Sequence, residues 1–132
     1  MKVFISHTDQ DTALARKIAQ GLEKAGMDVW DDQNILPGDN GAAMIGEALE
    51  QAQAMVILLT PQALASKWVR LEIEYALGKE SYSHRVIPVV VGQVPEDTLP
   101  WILRRLQMIR LAEPAMEDEG IQRIADELRK AC

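Results

Sequence analysis

The chain has 132 residues, 48% of them apolar and 26% charged, with a formal net charge of −6. That balance describes an ordinary globular protein rather than a disordered or membrane-spanning one, and the length suits one compact domain over residues 1–132 with a sizeable core. An acidic surface disfavours phosphate backbones and anionic lipid, so neither nucleic acid nor a membrane is an expected partner, and small ligands and proteins remain.

The single cysteine, Cys132, allows neither an internal disulfide nor a Cys-based metal cluster, and it suits a reducing compartment. The opening "MKVFISHTDQD" turns polar after Ile5, too short an apolar stretch for a signal peptide. The longest apolar run, Ala54 to Leu59, falls well short of the about 20 residues that span a bilayer. A cytosolic location is therefore expected.

"KVFIS" is a short run without helical period, ending in the polar "HTDQD", and reads as a buried strand. From Thr12 to Lys24, Leu14, Ile18, Ala19 and Leu22 recur at helical spacing, with Gly26 as a stop. "MDVW" gives a second strand, and "DDQNILPGDNG" a loop containing a Pro-Gly turn. Ala42 to Gln53 is periodic through Ile45 and Leu49, a second helix.

"AMVILLT" is apolar throughout, as in a central parallel strand covered on both faces. "SKWVRLEIEYAL" is the third helix and "RVIPVVVG" the fourth strand; "PWILRRL" makes a helical turn at most, "QMIRL" a short fifth strand, and Glu117 to Ala131 a final helix. Strands alternating with helices give an α/β domain with a parallel sheet and, through right-handed crossovers, helices on both faces. Five units point to a flavodoxin-like three-layer fold with strand order 2-1-3-4-5. Its ligands bind outside the carboxyl ends of strands one and three. Ser6 to Asp11, Thr60 to Trp68 and the loop after Trp30 are then the segments of interest.

Several sites that such a fold carries are excluded. A phosphoacceptor site needs an aspartate at the end of strand three, where this chain has Thr60 and Pro61, and a lysine after strand five, where it has "RLAEP". "ISHTDQD" lacks the glycines of a dinucleotide fingerprint, and "LPGDNG" lacks the P-loop lysine. With His7 and His84 the only histidines and no ligand spacing around them, no metal site is expected. His84 reads as plain surface. No serine-hydrolase elbow is present.

At about 100° per residue the third helix forms an apolar stripe of Val69, Ile73, Ala76 and Leu77, with Arg70 and Glu74 pointing away. Glu72 lies at the stripe's edge, flanked by Trp68 and Tyr75 at helical spacing. Periodicity alone leaves Glu72 as an ordinary boundary carboxylate and Trp68 as a core-edge residue. Their place at the switch point supports another reading, an aromatic platform and a carboxylate holding a ringed ligand with hydroxyls.

Taken together, "VFISHTDQD", "DVWDDQNILPGD" and "ASKWVRLEIEYAL" resemble, in order, the first box, the second strand with its BB loop, and the helix after strand three of TIR (Toll/interleukin-1 receptor) domains. The resemblance implies the fold read above and an enzyme that cleaves NAD+ at the nicotinamide–ribose bond, of bacterial defence or virulence type. NAD+ is then substrate, and no cofactor is implied. Trp68 and Glu72 match the family's tryptophan and the glutamate four residues after it, which makes Glu72 the catalytic candidate.

Ser6, His7, Ser66 and Trp68 are substrate-binding candidates in the same cleft, His7 either donating to phosphate or standing as a loop histidine without ligand. Asp31 and Asp32 open the BB loop, where one can cap backbone amides; Asp32 is the candidate for ligand contact. The turn Ile35, Leu36, Pro37, Gly38 and Asp39 is, by resemblance, an interface that packs on a neighbouring TIR domain and completes the site between two protomers. The alternative is a non-catalytic TIR–TIR interaction module or adaptor mimic. One departure stands out: His7, Thr8 and Asp9 occupy positions where many members carry a tyrosine and basic residues that contact phosphates or nicotinamide.

Overall fold

The computed structural model describes residues 1–30, 41–79, 82, 85–92, 94–106, 108–111 and 117–130. Five parallel strands, β1 (Lys2–Ser6), β2 (Asp28–Trp30), β3 (Ala54–Leu59), β4 (Val86–Val91) and β5 (Ile109–Leu111), pair in the order β2-β1-β3-β4-β5. This is the flavodoxin-like order expected from the alternation of elements. Helices α1 (Thr12–Lys24), α2 (Gly41–Gln51), α3 (Pro61–Ala65), α4 (Lys67–Gly78), α5 (Trp101–Arg104) and α6 (Glu117–Lys130) cover the two faces.

The central strand shows why both faces must be covered. All six residues of β3 are buried. Ala54, Val56 and Leu58 join the core under α1 and α6, while Met55, Ile57 and Leu59 join the core under α2, α3 and α4. Side chains two apart share a face, so a strand apolar at every position needs helices on both sides.

Helix boundaries follow local chemistry. At the end of α1, Gly26 takes a φ of 92°, where a side chain would be strained. The amides of Gly26 and Met27 donate to the carbonyls of Glu23 and Leu22, at 3.0 Å each, closing the helix as the sequence suggested. Helices α2 and α6 end within one or two residues of expectation, the usual fraying range. Within α6, Ile121, Ile124, Ala125 and Leu128 are buried on one face.

Two details depart from the sequence reading. Between Thr60 and Ser66 the chain forms a separate short helix, α3, capped by the Thr60 hydroxyl and started by Pro61. Along α4, Val69 and Ala76 are buried and Ile73 partly so, but Leu77 is exposed and does not belong to the stripe. Leu77 follows Ala76 by about 100° around the axis, so once Ala76 faces the sheet its neighbour turns toward the rim. Arg70 and Glu74 are exposed, as expected. His84 and Cys132 lie outside the described residues.

Helices α1 and α6 approach closely at Gly21, where an added Cβ would stand 2.3 Å from Ile121 Cγ2. A β-branched neighbour has little freedom to yield. Gly21→Ala is expected to lower stability by about 1–3 kcal/mol through overpacking, read as a fall in the urea midpoint without a change in slope. An unchanged midpoint would show that α6 shifts at no cost.

Candidate functional site

Register brings the carboxyl ends of β1 and β3 side by side, with Ser6 opposite Ile57. The loops that leave them are tied together by one carboxylate. Asp11 Oδ2 accepts from Thr8 Oγ1 and from Thr60 Oγ1, each at 2.9 Å, and Thr60 Oγ1 in turn accepts from the amide of Ala63 at 3.1 Å. The sequence reading had excluded Thr60 from phosphoacceptor chemistry; its place here is to cap α3 and join the two loops.

Ser66 separates α3 from α4 in extended conformation, and its Oγ accepts from the amide of Val69 at 3.3 Å. Ser, unlike Ala, satisfies one of the orphan amides at a helix start, which fixes where α4 begins. Trp68 and Glu72, one turn apart, then share the flank of α4 that looks along the end of β1.

Glu72 is 8% exposed, and Ser6 Oγ donates to its Oε1 at 2.7 Å. A carboxylate this far from water is costly unless hydrogen-bonded, and this contact is in the short range of charge-assisted bonds. Glu74, two residues on, faces solvent. The sequence left open whether Glu72 was a boundary charge; it is a buried carboxylate held from below.

Glu72 opens onto a cavity of about 310 Å³, which Trp68 and Ser66 line beside it. That volume lies at the small end of the about 300–1,000 Å³ typical of ligand pockets, enough for a nucleoside-sized part of a ligand. Trp68 is 59% exposed, an aromatic face open to whatever enters. Across the cavity Trp30, at the end of β2, stacks on Phe4 with ring centroids 5.3 Å apart.

Ser6 itself is 1% exposed and lies beneath the cavity, its hydroxyl directed at Glu72. His7 lines the cavity with Nδ1 2.7 Å from the carbonyl of Thr8. A carbonyl only accepts, so Nδ1 carries the proton, and in the neutral ring Nε2 is an acceptor. Asp31, Asp32 and the turn Ile35, Leu36, Pro37, Gly38 and Asp39 lie outside the described residues. Among the described residues no group of His, Cys, Asp and Glu is arranged to hold a metal ion.

Residues 3–125 match the TIR domain family. The chain belongs to that family.

An NAD(+) hydrolase of Actinoplanes sp. is 35% identical over 99 residues, taking in 67% of this chain and 14% of that protein. A 2′ cyclic ADP-D-ribose synthase of Bacteroides thetaiotaomicron is 27% identical over 96 residues, 71% of this chain and 33% of the relative. A solved metazoan TIR-STING receptor from C. gigas, in complex with 2′,3′-cGAMP, superposes with a TM-score of 0.75 at 29% identity, covering 93% of this chain and 39% of the receptor. This TIR chain spans about a third or less of the length of the curated relatives it matches.

Among the contributors to the TIR cavity that sequence reasoning missed are Trp30 and Ile45 in its wall, and Thr12 and Arg16 on α1. Thr12 and Arg16 are one turn apart and follow the first-strand loop, a spacing that places both on the side facing that loop.

The Ser6–Glu72 contact is open to a double-mutant cycle on stability. Ser6→Ala, Glu72→Ala and the double variant are expected to show a coupling of roughly 1–3 kcal/mol in denaturant unfolding. Strict additivity would mean that the bond contributes nothing to holding β1 and α4 together.

Proposed function

We propose that this TIR domain cleaves NAD+ at the bond between nicotinamide and ribose. The observation that carries the reading is Glu72: a buried carboxylate, held by Ser6, lining a cavity with an open tryptophan one turn away. Relatives named as an NAD(+) hydrolase and a cyclic ADP-D-ribose synthase support the reaction class.

The chemistry asks little of the protein in acid–base terms. As the C1′–N bond breaks, its electron pair goes to the pyridinium nitrogen, and nicotinamide leaves neutral without needing a proton. One carboxylate then suffices, unlike the acid and base pair of ordinary glycoside hydrolysis. Glu72 accepts hydrogen bonds from the ribose hydroxyls and faces the positive charge that grows over C1′ and the ring oxygen, an effect strongest where water is excluded.

A carboxylate has about four acceptor positions, more than the single bond from Ser6 takes up. Trp68 stacks on a flat ring of the substrate and holds the reacting bond in place. Water then adds at C1′, yielding ADP-ribose and a proton. Attack by a nitrogen or hydroxyl of the same molecule yields a cyclic ADP-ribose variant instead.

The reading includes a site completed by a second TIR domain through residues 35–39, and a cytosolic location. Among the described residues no helix is long and apolar enough to cross a membrane. A second reading, an interaction module or adaptor mimic without catalysis, draws on Trp101 and Ile102, which are exposed on α5 outside the cavity wall.

Nicotinamide release from NAD+ separates the two. The wild-type chain at high concentration is expected to release it, Glu74→Ala to match wild type, and Glu72→Ala to lose about 100-fold or more, the scale of removing one preorganised stabilising group. Equal release by wild type and Glu72→Ala would overturn the enzymatic reading. Specific activity is expected to rise with protein concentration; a constant value from a protein that stays monomeric would remove the composite site.

A further inference from the structure

Pyrophosphate is the most strongly charged part of NAD+, and this chain carries a formal net charge of −6. An acidic protein attracts an anion only where a local cation outweighs the surrounding field. The loop after β1 does not supply one. His7 presents an acceptor nitrogen when neutral, and Asp9, also in the cavity wall, has the wrong sign. The hydroxyls of Thr8 and Thr12 direct their protons within the protein, to Asp11 Oδ2 at 2.9 Å and to the Asp9 carbonyl at 2.8 Å.

Among the described residues, the lysine or arginine that lines the cavity is Arg16. It stands on α1, which packs on the opposite face of the sheet from α4. Both helices contribute to one cavity. The last residue of β2, Trp30, pairs with Phe4 and lines that cavity, as does Ile5, the next residue of β1. Ala15 and Ala19 line the α1 side with small side chains, leaving room for a ligand along the helix.

We propose that Arg16 forms an anion subsite on α1 that binds the pyrophosphate of a dinucleotide whose nicotinamide ribose lies at Glu72. This rests on the reading of Glu72 given above and names the group that anchors the far part of the substrate. A guanidinium presents its donors as a fixed fork that matches two phosphate oxygens, so it binds and orients at once. Arg16 is exposed, so its removal is not expected to unfold the domain. As a binding residue remote from C1′, it affects ground state and transition state alike, and the effect belongs in KM.

The test compares wild type, Arg16→Gln and Arg16→Lys on NAD+ and on nicotinamide riboside, which has the same scissile bond and no phosphate. ADP binding by titration calorimetry is followed alongside. Arg16→Gln is expected to raise KM for NAD+ and Kd for ADP about tenfold, the scale of one charge-assisted contact. It should hold kcat within about twofold and leave cleavage of the riboside unchanged, while Arg16→Lys recovers part of the loss.

Added potassium chloride should weaken ADP binding more steeply in wild type than in Arg16→Gln. An unchanged KM and Kd, or an equal loss on the riboside, would overturn the subsite. Should wild type release no nicotinamide while ADP binding still depends on Arg16, the subsite stands and the enzymatic reading falls.

Discussion

A hydroxyl at the last residue of β1 holds a carboxylate from the second turn of α4, and the geometry of the cleft depends on that contact. Ser6 and Glu72 are both buried, so the bond forms away from competing water. Forming it requires three independent conditions. The register of β1 on β3 sets the height of Ser6; the cap at Ser66 sets the rotation of α4; the Asp11 bridge between Thr8 and Thr60 keeps the two loops together. The two residues sit on different elements, so a shift in any of the three lengthens the bond.

The same arrangement divides labour across the sheet. The face covered by α4 carries the carboxylate and the aromatic platform, while the face covered by α1 carries the guanidinium. Trp30, the last residue of β2, lines the same cavity. The polar end of the sheet thereby uses both layers of the α/β sandwich, although the two hydrophobic cores beneath them are separate.

Much of this was legible in the sequence, for physical reasons that differ by element. The six buried residues of β3 and the stop at Gly26 are properties of local runs, and local runs survive folding unchanged. The α3 helix was missed because five residues give too little periodicity, and its signal was a cap, Thr60 before Pro61, rather than a stripe. Leu77 misled because an apolar residue at the margin of a stripe has the same spacing whether it faces in or out.

At the site, Trp68 and Glu72 were visible as a spacing along one helix. That Glu72 is held by Ser6 was not visible, since the two are 66 residues apart and only the register of the sheet makes them neighbours. Arg16 was hidden for a related reason: a charged residue on an amphipathic helix looks like solvent-facing surface until the fold places it in a cavity wall. The loop histidine carried the opposite ambiguity, because its chemistry depends on which ring nitrogen the Thr8 carbonyl claims.

The break at Ser66 has an evolutionary consequence. Because Trp68 and Glu72 ride on one helix downstream of a single capping residue, they move as a cassette. Insertions and deletions in the segments before Ser66 would shift both together and leave their mutual spacing intact. What such variation does disturb is the relation of the cassette to Ser6. Descendants of a fold built this way are therefore freer to change the mouth of the cleft than the length of chain between β3 and α4.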